Sequence, residues 1–346
     1  MSVSENNKTS YLAQETERFG VSRRLWRAGV LLLFLFLAVL GAFLSLTKGS
    51  SVISMGQIVN ILLAPGGDAQ SQIIWNIRMP RTIVAALVGV NLSLGGAILQ
   101  AVMRNPLADP HIIGISSGAG LAGVAIMILF PTLEYLIAPV AFVGAMAAAV
   151  CIYILAWKNG IKPVRIILAG VAVSAFLSAG ISGLMIFYSD RVHGALMWMV
   201  GGLAARSWPH VQIILPYACL GLVLALAGSA YLNVLQLGDE MARGLGINVE
   251  ATRIVMTAVA ALLAASAVSV VGLLGFVGLI VPHAARLLVG SDYRYLLPAA
   301  SLLGIATVTL SDTFARVIFA PIELPVGIIM AFVGAPFFLF LLRREI

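Results

Sequence analysis

Ten apolar runs, most of them about 20 residues long, constrain most tightly what this chain can fold into. They fall near 28–47, 83–103, 112–130, 136–157, 164–187, 211–232, 253–272, 274–289, 296–315 and 325–342. Inside a bilayer the backbone has no water to bond, so runs of this length form helices. They predict an all-α, polytopic integral membrane protein of ten transmembrane helices. Nine is the rival count, because the run at 274–289 is short for a full crossing. The chain is 61% hydrophobic and 10% charged, where a soluble domain carries about 25% charged residues. Residues 1–24 are polar and of mixed charge and read as a disordered cytoplasmic tail, with 25–346 a single transmembrane domain and its first run a retained span.

The basic residues sort by side. With the N-terminus inside, Lys8, Arg18, Arg23, Arg24, Arg27, Arg104, Lys158, Lys162, Arg165, Arg243, Arg253, Arg286, Arg294, Arg343 and Arg344 fall on the inner face. Lys48, Arg78, Arg81, Arg191, Arg206 and Arg316 fall outside. This is the positive-inside bias, and it places both termini in the cytoplasm. The formal charge of +7 follows from it and is no nucleic-acid signal. Cys151 and Cys219 lie within apolar runs and are expected to be buried thiols, not a disulfide framework. His111, His193, His210 and His283 lack metal-site spacing, so no metal is expected. No Lys follows a glycine in a G-K-[ST] loop, so the chain is not expected to bind ATP that way. The run centres carry almost no ionisable groups, which argues against an ion-coupled secondary transporter and a membrane-embedded enzyme.

Four motifs stand out. Arg78-Met-Pro-Arg81-Thr82 places two cations on the outer side, at the expected start of the second helix, with Pro80 in its first turn. Both the macrodipole and the positive-inside bias disfavour cations there. They read either as a patch for an acidic outside partner or as headgroup-seeking side chains. Arg316 has Asp312 at i,i+4 as its internal alternative. On the inner side, Asn105-Pro106-Leu107-Ala-Asp-Pro110 cannot be continuous helix and reads as a plain turn or a gate. Gly170, Ser174, Ser178 and Ser182 form a small-residue stripe, suited to close packing or to a water-lined path. The loop Leu237, Gly238, Asp239, Glu240, Met241, Ala242, Arg243, Gly244, Leu245, Gly246 reads as a short helix, with Gly244 and Gly246 permitting a tight turn. Of two longer connections, one holds an amphipathic patch at 54–63. The other holds a half-helix at 195–200, ending at Gly201-Gly202.

These segments together resemble the FecCD-like permeases, the membrane subunits of type II ABC importers for iron–siderophore complexes, haem and cobalamin. The resemblance rests on Arg78 to Thr82, Gln100 to Pro110, Gly114-Ile-Ser-Ser-Gly118, Leu168-Ala-Gly-Val171, Leu237 to Gly246, Gly275 to His283, and Glu323-Leu-Pro-Val-Gly327 with Gly334-Ala-Pro336. It implies ten helices and a permease homo- or heterodimer in the bacterial plasma (inner) membrane. It also implies two cytoplasmic ATPase subunits that bind the ATP and one extracytoplasmic binding protein. By similarity, Arg78, Arg81 and Arg316 would dock that protein, and Asn105, Pro106 and Leu107 would gate the inner side. The 237–246 loop would couple to the ATPase, and the helix carrying Gly170, Ser174, Ser178 and Ser182 would line the path. Cobalamin importers have a Thr-Ser pair where this chain has Pro163-Val164, so ferric siderophore ranks first, haem second and cobalamin third.

Overall fold

The computed structural model describes residues 3–49, 53–63, 66, 68–111, 114–158, 160 and 163–345, with side chains from Arg23 on except those of Met55, Leu62, Leu342, Arg344 and Glu345. Of the inner-face cations, Lys162 and the side chains of Lys8, Arg18 and Arg344 lie outside the described residues. Among the described residues every regular element is helical. In chain order they are α1 (Val3–Thr47), α2 (Met55–Leu63), α3 (Ala69–Gln72), α4 (Met79–Met103), α5 (Ile115–Leu129), α6 (Ile137–Ala156), α7 (Pro163–Phe187) and α8 (Val192–Val200). Then follow α9 (Trp208–Ala227), α10 (Ser229–Leu235), α11 (Asp239–Gly244), α12 (Val249–Val271), α13 (Val277–Val289), α14 (Tyr293–Val317) and α15 (Val326–Glu345).

Among the described residues, seven helices are long and apolar enough to cross a bilayer. The shorter apolar helices α5, α13 and α15 coincide with the other three runs. α5 has 15 residues and so spans about 22 Å, less than a hydrocarbon core of about 30 Å. It is short because irregular chain occupies part of its path. After α4 ends, the chain turns back, and Pro110 packs against Gly95, two turns up the helix. α13 likewise starts beside the middle of α4, where Gly278 touches Gly96.

One expectation changes here. The second helix does not begin at Pro80. It runs unbroken from Ala69 to Met103, with π-helical turns over Ile73–Arg78. Such turns accommodate the missing N–H and the ring of a proline inside a helix.

α4 and α12 form the buried centre. α14, α13 and α9 pack around them, α1 lies on α14, and α5, α6 and α7 form a flank. Lipid is as apolar as leucine, so helix contacts here depend on close approach more than on water exclusion. The backbones of Gly89 and Gly304 meet, as do those of Gly118 and Gly144. Cys151 and Cys219 are exposed on the surface of the chain, not buried as expected. In a bilayer an apolar run says that a residue avoids water, not that it faces the protein. The amphipathic patch is α2, whose start is fixed by reciprocal bonds between Ser54 and Gln57. It buries Ile58 and Ile61. The expected half-helix is α8, which ends at Gly201.

Candidate functional site: an outer arginine cluster, two cavities and an inner loop

The outer arginines do not form an open patch. Arg78, Arg81 and Arg316 are 4%, 7% and 5% exposed. Arg78 Nη1 donates to Leu46 O at 2.7 Å and Thr47 O at 3.0 Å. Arg316 Nη2 donates to Ser45 O and Ser45 Oγ, and its Nη1 to Lys48 O. Both guanidinium groups therefore sit on the carbonyls that end α1, where the helix dipole favours cations. The expected conflict at Arg78 disappears because no helix begins there and its side chain reaches the end of α1. Arg81 grips Asp312 in a fork, Nε to Oδ2 at 3.0 Å and Nη2 to Oδ1 at 2.9 Å. Its Nη1 bonds Glu323 at 2.8 Å. Asp312 is also paired with Arg316 Nε at 3.2 Å, the i,i+4 contact anticipated for it.

Beside this cluster opens a cavity of about 780 Å³, lined by Arg81, Arg191, Arg206, His210, Glu134 and Glu323. Arg206 precedes α9, whose start is capped by reciprocal bonds between Ser207 and His210. Its Nη1 lies 3.0 Å from His210 Nε2, while its Nε is buried with no partner among the described residues. Burial, with the nearby Arg81 cation adding to it, pushes the Arg206 guanidinium down to about 10. From the sequence Arg206 entered only a count of outer charges. Its sole local signal was an arginine immediately before Ser-Trp-Pro-His210.

A second, mainly apolar cavity of about 1000 Å³ is lined by Val200, Phe276, Gly327 and Phe332, with Asp109 and His111 at its edge. Asp109 is 5% exposed, and its Oδ1 accepts the His111 N–H at 2.7 Å. It was visible in the sequence only as part of a proline-broken motif. Asn105, Pro106 and Leu107 are half-buried. Asn105 Oδ1 accepts the Leu107 N–H at 2.9 Å, so this carboxamide closes its own turn.

The small-residue stripe of α7 divides in two. Gly170 and Ser174 pack against Gly114, and this half serves helix packing. Ser178 and Ser182 are exposed on the open face of the chain.

On the inner side, Gly238 and Gly246 take φ of +100 and +82 and turn the chain into and out of α11. Gly244, expected to share that task, is instead the last residue of the helix. Asp239 pairs with Arg253, Nη2 to Oδ1 at 2.7 Å, and with Arg104 at 3.4 Å. Ala242 is buried, while Leu237, Met241 and Leu245 are 55%, 61% and 61% exposed.

A helical bundle with broken helices, glycine-mediated contacts and cavities on its flanks is the architecture of a multi-pass membrane permease. Comparison with known proteins places it further. Residues 35–344 match the FecCD transport family, and the chain belongs to that family. It is similar to the Fe(3+)-citrate import system permease protein YfmD of Bacillus subtilis, 38% identical over 92% of this chain and 95% of that protein. It is also similar to the cobalamin import system permease protein BtuC of Halobacterium salinarum, 45% identical over 79% of this chain and 74% of that protein. Among solved structures it resembles an inward-facing conformation described as that of a metal-chelate type ABC transporter. There the TM-score is 0.81 at 30% identity, covering 92% of this chain and 99% of that one.

Proposed function

We propose that this chain is the permease subunit of an ATP-binding cassette importer, one that carries an iron chelate from an extracytoplasmic binding protein into the cytoplasm. Ferric siderophore or ferric citrate is the first choice of cargo and haem the next. The observation that carries the reading is the inner loop. Met241 on α11, with Leu237 and Leu245 just outside its two ends, leaves apolar side chains exposed beside charged neighbours. An apolar face held on a short, tethered helix fits a groove on a soluble partner. That partner is the ATPase, present as two subunits that hold the ATP. The permease itself needs no cofactor. A second permease subunit covers the open face bearing Ser178 and Ser182. The protein sits in the bacterial inner membrane with both termini cytoplasmic.

Of the arginines expected to dock the binding protein, only Arg81 also lines the outer cavity. Arg191 and Arg206 join it there as cations that acidic side chains of a docking protein would meet. Cobalamin is the third choice of cargo, supported by the likeness to the halobacterial permease.

The test is to purify the chain from its native membrane in detergent and identify what accompanies it by mass spectrometry. A P-loop ATPase is expected. A chain that purifies alone and drives proton-dependent uptake in liposomes would instead be a secondary transporter.

A substitution pair tests the path. Ser178→Trp, on the exposed half of the stripe, should leave the chain folded and abolish nearly all uptake. Ser174→Trp should fail to fold, because Ser174 already lies against Gly114 and Gly170 against the same turn. Full uptake in Ser178→Trp would show that this face does not line the path.

A further inference from the structure

Asp239, the first residue of α11, joins three elements. Its carboxylate accepts from Arg253 Nη1 and Nη2 at 3.0 and 2.7 Å. Arg104 Nη2 lies 3.4 Å from its Oδ1. Arg253, on α12, is 2% exposed and fixes the carboxylate to the core. Arg104 stands where α4 ends and the Asn105–Leu107 turn begins. Its φ is +48, in the left-handed region that glycine or asparagine usually fills at a helix end. An arginine there works against its backbone preference, the kind of strain that accompanies function. What its side chain contributes is contact with the inner loop, at Asp239 and beside Gly238. Gln236 Nε2 ties the same loop to the last turn of α4 by donating to Ala101 O at 3.4 Å.

We propose that the Arg104–Asp239 pair is the link that carries displacement of α11 to the gate turn at Asn105–Leu107, with Arg104 as a positioning residue. The proposal rests on the importer reading above. Force applied to the exposed face of α11 moves Asp239. Arg253 passes that movement to α12, and Arg104 passes it to the end of α4. The two contacts differ in kind. Arg253 is buried, whereas the Arg104 pair has side chains 41% and 30% exposed. A solvated pair breaks and reforms at little cost, which suits a contact that must change between states.

The test uses the whole complex, permease with its ATPase subunits, in nanodiscs. Cys151 and Cys219 are replaced by serine, and Leu107→Cys supplies one thiol at the gate turn. Its labelling rate with a membrane-impermeant maleimide is compared between nucleotide-free and ATP–vanadate-trapped complex. With Arg104 or Arg104→Lys the two rates should differ by about fivefold or more, the scale of an ordinary coupling free energy. With Arg104→Gln and Arg104→Gly the ratio should fall close to one while ATP hydrolysis continues. Arg104→Gly is the decisive variant, because glycine relieves the left-handed backbone and removes only the link. A ratio retained in both the glycine and glutamine variants overturns the link alone. Equal rates in the complex with Arg104 intact overturn the gate turn and the link with it, whereas the lack of an ATPase partner overturns the importer reading itself.

Discussion

Replacing Asp312 by alanine should lower the stability of the chain by about 3–5 kcal/mol, the usual consequence of removing one member of a buried ion pair. Asp312 is 1% exposed and accepts both arms of the Arg81 fork while pairing with Arg316. Without it, two buried guanidinium groups lose their central counter-charge. Glu323 offers the control. It also bonds Arg81 at 2.8 Å, but its side chain is 40% exposed. Glu323→Gln should therefore cost no more than about 1 kcal/mol. Thermal unfolding of the purified chain in one detergent, followed by tryptophan fluorescence, distinguishes the two. Equal shifts would mean that Asp312 is not the centre of the cluster. The same geometry governs Arg78→Glu with Arg81→Glu. That double change puts one carboxylate beside Asp312 and Glu323 and another against the Leu46 and Thr47 carbonyls, and should prevent folding, so a docking assay on it would measure loss of structure.

The helices were legible in the sequence because the bilayer allows little else. Each apolar run has its helix, and the broken segment at α8 showed itself by length alone. Side-chain direction was another matter. Arg78 looked misplaced because a helix was expected to begin beside it, while its side chain bonds the Leu46 and Thr47 carbonyls of α1. No local pattern announces a partner about thirty residues upstream. Cys151, Cys219 and the α7 stripe failed to reveal their faces for a different reason. Lipid-facing and core-facing surfaces are both apolar, so the amphipathic signal that orients a soluble helix is weak in a membrane span. The start of the second helix was hidden by the sequence Arg-Met-Pro-Arg, which resembles a helix beginning. The π-turns that let the helix pass Pro80 are a tertiary accommodation. Asp109 was in plain view, yet its burial depends on the chain folding back along α4, which two prolines permit without specifying.

Gly96→Ala should be the most damaging small substitution in the central helix. A β-carbon on Gly96 would stand 1.9 Å from the carbonyl oxygen of Gly278 and 2.5 Å from its Cα. These are backbone atoms in the first turn of α13, so no rotamer change relieves the overlap. α13 must move away from α4. Overpacking of a tight core costs about 1–3 kcal/mol when side chains can adjust, and here they cannot, so the upper end is expected. The movement would spread, because Gly278 also lies against Leu92 O and the Asp109 carboxylate. It would loosen the returning segment that forms one edge of the apolar cavity. Gly183→Ala, in α7, is the matched comparison. Nothing lies within 4 Å of a β-carbon there, and alanine is favoured over glycine in a helix by about 0.5–1 kcal/mol. The alanine at 183 should therefore leave the folded yield unchanged or raise it. The alanine at 96 should shift the chain to the void volume in size-exclusion chromatography or sharply lower its melting point. If the two variants behave alike, the approach of α4 to α13 is looser than its backbone contacts indicate. α13 would then be free to move against α4 during transport, instead of forming one rigid body with it.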